Sequence, residues 1–534
     1  LDSLKNNLWT AWLALESRGN QLNHITRRTL IAAGALSVIG GGAFKFLKNT
    51  GTTVKAYVPS PKILAMPINQ VSGVLIDWKE RAKTTYDLLF DFKAKGPFLP
   101  VIWNDTEHRN YNFDMFALPA YLGDYRQNPE HMGSHESLSG VGSVLGASLA
   151  GLDMQNYGGR NLVKECLGYH QQNRVAKILF NQTADSGSES SFWYMIYPNI
   201  AFYAINSMYP DEPNFDIVSK DIANEFVEML KHLKTIEGKF TFEFQGYSFL
   251  NKEGVYGGHR EPDAAAGVAW VLYNAYLRFG DKNYLEGAKA CLDYLEARLV
   301  TENPFYEILL AFGLTTAARM NALEGTNYDV SKLFNWIFDG FSDARAGWGI
   351  ISDVWGLTEV HGLQGSVTDS GGYAFTFNTF NAVAAIAPLP IYAPEYASEI
   401  GKWLYNVALS ARLFYPDQMP SENQSEPELR DTYKGAFTYE GIRKEWAFVV
   451  PFATADSRRN TWAQTDLGIY GSGLVGVMAG IISSVEPSGV IIFEISKTDF
   501  FGDKKVPVYL AYNPNKETTL CKGKSISSGQ ALLL

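Results

Sequence analysis

A chain of 534 residues with 46% hydrophobic and 19% charged residues belongs to a folded globular protein, too long for one ordinary core and neither disordered nor fibrous. Its formal net charge of −10 and the lack of any long Lys and Arg run exclude a phosphate backbone, so no nucleic acid is expected as a partner. Cys166, Cys291 and Cys521 stand far apart without a CxxC pair, which excludes a zinc site or a disulfide framework.

At the amino end, Thr26-Arg27-Arg28-Thr29-Leu30-Ile31 leads into the Gly- and Ala-rich stretch Ala32–Phe44. An Arg pair before a weakly hydrophobic run resembles a twin-arginine export signal, and the run is short of the roughly 20 residues of a spanning helix. Residues 1–50 are therefore expected to be an export signal or a membrane anchor, with the protein extracytoplasmic: periplasmic, secreted or membrane-attached.

From Asp77 to Ser484 the apolar spacing is mostly helical. The stretches read as helices are Asp77–Ala94, Ser137–Leu152, Leu162–Phe180, Phe192–Met208 and Phe215–Leu233, then three from Pro262, Asp281 and Pro304, and then Val330–Phe341, Tyr373–Ile386, Pro394–Phe414, Tyr439–Phe452 and Leu467–Ser483. In the clearest pair, Val268, Leu272, Ala275 and Phe279 share one face, Gly280 stops the helix, and Asp281 caps a second on which Leu285, Ala288, Leu292, Leu295 and Leu299 repeat. The helix after Pro304 leaves few polar positions, so well-buried helices alternate with half-exposed ones. Gly471-Ser472-Gly473-Leu474-Val475-Gly476 matches GxGxxG, but no strand leads into it, and it reads as close helix packing. No HExxH, P-loop, GxSxG or EF-hand pattern occurs, so no cofactor or catalytic metal is expected, while scattered Asp and Glu leave a structural calcium open.

The segment Phe279-Gly280-Asp281-Lys282-Asn283-Tyr284-Leu285-Glu286-Gly287-Ala288, followed by Leu292-Asp293-Tyr294-Leu295, resembles the hairpin turn of the six-hairpin glycosidase superfamily. The resemblance implies a mainly α fold, an (α/α)6 toroid of helical hairpins over residues 51–484, and carbohydrate work at one end of it. Residues 485–534 change texture. Val490–Ile495 and Val506–Tyr512 are short β-rich runs between turns, expected to form a small C-terminal sheet or sandwich.

Four acid- and aromatic-rich loops are the candidates for chemistry. In the first, Tyr256, His259, Arg260, Glu261 and Asp263 lie just before a helix start; Asp263 has capping as its alternative role, and Glu261 is the freer group. The second, Ala346–Gly372, carries Trp348, Trp355, His361 and Asp369, with Tyr373 after it. The third holds Glu440, Arg443 and Glu445, where burial and a guanidinium would tune a carboxyl in opposite senses. The fourth joins His135 and Glu136 with Trp193 and Tyr194.

The expected activity is that of an inverting glycoside hydrolase on an oligo- or polysaccharide, with catalytic carboxyls among Glu261, Asp263, Asp369 and Glu440 and the other named residues binding substrate. Inversion needs an acid for the leaving oxygen and a base for water, about 6.5–9.5 Å apart. One alternative is a polysaccharide lyase using Tyr256, His259 and Arg260 on a uronate. Another is a non-catalytic glycan-binding or scaffold protein.

Overall fold

The computed structural model describes residues 55–125, 135–182, 191–368, 371–503 and 506–534. The export or anchor segment expected within residues 1–50 lies outside these, as does Asp369. Among the described residues no helix is long and apolar enough to cross a membrane.

The chain is mainly α-helical, with several small antiparallel sheets. Its principal helices are α1 (Trp78–Leu89), α2 (Ser137–Leu149), α3 (Leu162–Glu165), α4 (Phe192–Met208), α5 (Phe215–His232), α6 (Ala264–Phe279), α7 (Lys282–Ala297), α8 (Leu309–Leu323), α9 (Val330–Asp339), α10 (Thr376–Ile386), α11 (Ala397–Ser410), α12 (Ile469–Ser472) and α13 (Gly476–Ile481). Burial alternates along this order. α2 and α10 are buried over their whole length, whereas α5 turns only one face inward, through Val218, Ile222, Phe226 and Met229. The buried helices follow one another in contact: α2 on α4, α4 on α6, α6 on α8, α8 on α10, α10 on α12 and α13, and these back on α2. The half-exposed helices lean on them, α5 and α7 on α6, α9 on α8, α11 on α10 and α1 on α13.

The α6–α7 hairpin follows its sequence signals. Gly280 ends α6 at φ 74°, a backbone angle that costs glycine little, and the Asp281 carboxylate accepts the Asn283 N–H at 2.9 Å to start α7. Where the succession closes, α2 meets α12 and α13 through glycine. A Cβ on Gly476 would lie 1.8 Å from the Gly146 carbonyl oxygen, and one on Gly146 would lie 2.1 Å from that of Gly473. Tyr86 of α1 seals the seam, its hydroxyl donating to Gly473 O at 2.8 Å and accepting from Gly476 N at 3.0 Å. The glycine motif therefore serves close backbone approach.

Two of the expected helices are not formed. The stretch Leu162–Phe180 is helical only to Glu165, continues as one 3-10 turn to Tyr169 and then leaves the axis. At Gly168 a Cβ would meet the Met115 sulfur at 2.2 Å. The stretch Tyr439–Phe452 is a hairpin instead. Its strands belong to a sheet of β1 (Trp348–Ile350), β2 (Gln364–Ser366), β3 (Tyr373–Phe375), β4 (Gly441–Arg443) and β5 (Phe452–Thr454), in the order β5-β4-β3-β2-β1. The long loop expected from Ala346 to Gly372 thus supplies two strands. Gly441 faces Phe375, and its Cβ would stand 2.3 Å from Ala374 O, so only glycine admits this register.

The C-terminal sheet, β6 (Ile482–Val485), β7 (Ile491–Glu494), β8 (Tyr509–Tyr512) and β9 (Ala531–Leu533), runs β6-β7-β8-β9 and starts directly after α13, slightly ahead of the expected boundary at 485. Ile491, Phe493, Leu510 and Tyr512 join the main core, while Val490, Ile492 and Ala511 pack with Cys521 and Ile526 in a smaller one. All three cysteines are free and buried.

Candidate functional site

The starts of the buried helices carry polar and aromatic groups. Glu136 stands before α2, Ser191, Trp193 and Tyr194 open α4, Glu261 and Asp263 precede α6, Tyr306 and Glu307 precede α8, and Tyr470 lies in the first turn of α12. Helix starts present unpaired N–H groups and a positive dipole end, which favours negative charge near them.

Glu261, the group expected to be freer, is fully buried. Its backbone N–H donates to Phe244 O at 2.8 Å, which fixes the loop. Its carboxylate accepts from Ser191 Oγ (2.7 Å) and Trp193 N (2.9 Å), and lies 2.8 Å from His259 Nε2. Burial pushes the Glu261 carboxyl above its ordinary range, against the pull of these donors. His259 stacks flat on Tyr306, with ring centroids 4.5 Å apart.

Asp263 does not cap its own helix. It accepts instead from the backbone N–H groups of Tyr306 and Glu307, and its Oδ2 is buried without a partner. Burial first, then the charge of Glu261, lifts the Asp263 carboxyl well above the usual carboxylate range, which favours its protonated form. Two neighbouring carboxyls, both raised by burial and Asp263 further by the charge of Glu261, favour retention of a proton between them.

Glu440 sits between Thr438–Tyr439 and β4, fastened to the start of α10. Thr376 N donates to Glu440 O at 2.9 Å and Thr376 Oγ1 to Tyr439 O at 2.7 Å. Its carboxylate accepts from three phenols, Tyr121 (2.6 Å), Tyr470 (2.5 Å) and Tyr373 (3.0 Å), and from Asp456 N (3.2 Å). Burial raises the Glu440 carboxyl, and the Tyr121 and Tyr470 hydroxyls oppose the rise. Arg443 lies 4.0 Å over the Tyr373 ring and pairs with Asp456 at 2.9 Å.

Tyr194 and Tyr306 connect these two acid groups. Tyr194 retains 38% of its surface, lies tilted against the Trp193 ring with centroids 3.9 Å apart, and has its phenol pushed upward by burial and by the charges of Glu136, Glu307 and Glu440. Tyr306 is pushed upward by burial and by Glu307, Glu261 and Asp263. Glu307 is held by Arg345 and by Asn378 Nδ2 at 2.8 Å. The structure therefore brings Glu136, Trp193, Tyr194, His259, Glu261, Asp263, Tyr373, Glu440 and Arg443 into one neighbourhood.

The other expected residues stand differently. His135 is fully buried, held between Tyr169 OH (2.7 Å) and the Asp105 carboxylate (2.8 Å), so it positions Glu136 and offers no face to a ligand. Against its own burial, the bond to His135 keeps the Asp105 carboxyl below its ordinary value. Trp348 is covered by Arg345 at 3.8 Å and donates to Glu307 O at 2.8 Å, and Trp355 is buried against Asp353; Tyr373 is likewise buried, so none of these three is an open ring platform. His361 is buried beside Ser352, Arg260 pairs with Glu243 and Asp343, and Tyr256 and Glu445 are exposed.

Sequence reasoning missed Tyr121, Tyr306, Glu307, Arg345 and Tyr470. Tyr306-Glu307 had a usable signal, an aromatic and an acid just after Pro304 and before an apolar run, as in Glu261-Pro262-Asp263. Tyr121 and Tyr470 lie within apolar stretches and had none.

Behind Glu440 a second buried acid gives a stability test. Glu440 N donates to Asp466 O, and Asp466 N donates to Glu426 Oε2 at 2.7 Å. Burial, then the charge of Asp466, raises the Glu426 carboxyl to about 7. The unfolded chain loses that proton near the ordinary value of 4.5 and the folded chain near 7, so stability falls as pH rises through this window. Glu426→Gln is expected to match wild type at pH 4 and to exceed it by about 3 kcal/mol at pH 8. Urea midpoints measured across that range check it; parallel curves would refute the assignment.

Set against known proteins, the chain matches no family model and no curated protein.

Proposed function

We propose that the succession of paired helices is an (α/α)6 toroid of the six-hairpin type and that the protein is an inverting glycoside hydrolase acting on an oligo- or polysaccharide. The observation that carries this reading is that the Glu261–Asp263 carboxyls are tied to the start of α4 through Ser191 Oγ and Trp193 N, where the partly exposed Trp193 and Tyr194 rings lie in the field of Glu440 from a distant stretch. Flat apolar ring faces suit the faces of sugar rings, and paired carboxyls suit acid and base.

In this reading the Glu261–Asp263 pair protonates the glycosidic oxygen as the bond from the anomeric carbon breaks. Glu440, as carboxylate, takes a proton from the water that attacks the opposite face. Asp369 stays a candidate for either role. The twin-arginine-like segment supports an extracytoplasmic location, with membrane attachment if that segment is retained.

The lyase alternative has less support. His259 is engaged with Glu261, Arg260 with Glu243 and Asp343, and Tyr194 is surrounded by carboxylates that would repel a uronate.

Incubation with a panel of neutral and uronate-containing glycans, followed by proton NMR of the first product, tests the proposal. A reducing sugar of inverted configuration supports it. An unsaturated product would establish the lyase, and binding with no product in a long digestion the scaffold; either result overturns the hydrolase. Tyr194→Ala is expected to raise KM about tenfold with a smaller change in kcat, since it removes ring contact rather than proton transfer.

A further inference from the structure

We infer that Tyr470 is a catalytic residue that carries the proton of the attacking water to Glu440, an inference that rests on the hydrolase reading. A carboxylate offers about four lone-pair positions, and at Glu440 four donors fill them. Tyr121 and Tyr470 donate to Oε1 at 2.6 and 2.5 Å, and Tyr373 OH and Asp456 N to Oε2 at 3.0 and 3.2 Å. A base so occupied has no position left for a proton coming straight from water. One of its donors must pass a proton in while taking another.

The geometry selects Tyr470. Asp456 gives a backbone N–H, which does not release its proton, and Tyr121 and Tyr373 are buried, whereas Tyr470 keeps part of its surface. Phe377 packs against both Tyr470 and Trp193, with ring centroids 5.3 and 6.0 Å apart, so Tyr470 stands one ring away from the Trp193–Tyr194 pair proposed to hold the sugar. A phenol suits the task because one oxygen both donates and accepts. Burial and the Glu440 charge raise the Tyr470 phenol well above its ordinary value, so it keeps its proton at rest.

As the glycosidic bond breaks, the water oxygen gives an electron pair to the anomeric carbon and a proton to the Tyr470 oxygen. The Tyr470 O–H bond breaks in the same movement, and its proton ends on Glu440 Oε1. The leaving oxygen takes its proton from the Glu261–Asp263 pair. Once the product has left, Glu440 returns a proton to solvent through the same phenol and the acid pair takes one back.

Kinetics of Tyr470→Phe and Tyr121→Phe on the substrate found with the glycan panel test the assignment. Both variants remove a donor that favours ionised Glu440, so the acidic limb of kcat/KM should move to higher pH in both. On the plateau Tyr470→Phe should lose about 10²–10⁴-fold in kcat, the usual worth of proton transfer, and Tyr121→Phe no more than about tenfold. Equal losses in the two variants, as a purely holding role would give, or a Tyr470→Phe plateau within about threefold of wild type overturn the proposal. A second measurement uses the wild type, so no variant needs to fold. With a glycosyl fluoride of the accepted sugar, whose fluoride leaves without a proton, rates in mixtures of light and heavy water should follow a bowed line because two protons move; a straight line overturns the proposal. A wild type that turns over no glycan removes the hydrolase reading and this inference together, whereas an active wild type with an equally active Tyr470→Phe removes this inference alone.

Discussion

On the proposed hydrolase reading, Asp263→Asn lowers turnover about 10²–10⁴-fold, the usual worth of a general acid, while leaving the protein at least as stable as before. The two halves of this expectation come from different atoms. The oxygen that accepts the Tyr306 and Glu307 N–H groups is kept in the amide, and the Oδ2 that is replaced has no partner to lose. What disappears is the carboxyl whose protonated form burial and the Glu261 charge favour. Because the folded Asp263 titrates well above the unfolded one, the native state loses stability as pH rises above about 4, and Asn at this position removes that loss. The melting advantage of the variant should therefore grow from pH 4 toward neutrality. A variant with full activity on a confirmed substrate removes Asp263 from the chemistry. One that is inactive and also less stable points to a packing role.

Gly476→Ala and Gly146→Ala are expected to destabilise by about 3 kcal/mol or more each, at or beyond the upper end of ordinary overpacking. The added methyl group would stand 1.8 Å from a carbonyl oxygen in the first case and 2.1 Å in the second, and a backbone carbonyl cannot rotate away as a flexible side chain can. Gly142→Ala is the control on the same helix. Its Cβ would meet Leu474 at 3.8 Å, an ordinary contact, and alanine is the better helix former, so stability should hold or rise by up to about 1 kcal/mol. Denaturant midpoints of the three variants, measured together, separate the seam from a general intolerance of α2. Equal losses at all three positions would contradict the close-approach account.

How much was legible follows the range of the interactions involved. The α6–α7 hairpin could be read because everything that makes it is local: a three-four apolar period, a glycine at φ 74° and a capping aspartate. The stretch from Tyr439 to Phe452 was misread as helix because its strands are fixed by partners remote in sequence, Tyr373–Phe375 above all, and no local period records a partner. The same holds for the acids. Glu261, Asp263 and Glu440 were found as acids in aromatic-rich loops, but that Asp263 is buried against the Tyr306 and Glu307 N–H groups and that Glu440 is caged by three phenols depends on Tyr306, Glu307, Tyr121 and Tyr470, which fold in from elsewhere. Trp348 and Trp355 illustrate the opposite error, since a tryptophan in a long loop looks available until the strands on either side cover it.

The glycine seam joins α2 to helices that begin more than three hundred positions later, and Ala531 of β9 is pressed on Gly401 of α11. During synthesis, early segments such as α2 must wait with an apolar flank uncovered until residues 469–533 have left the ribosome. Vectorial production should therefore demand a holding chaperone, and truncation after residue 468 should yield aggregate rather than a smaller folded protein.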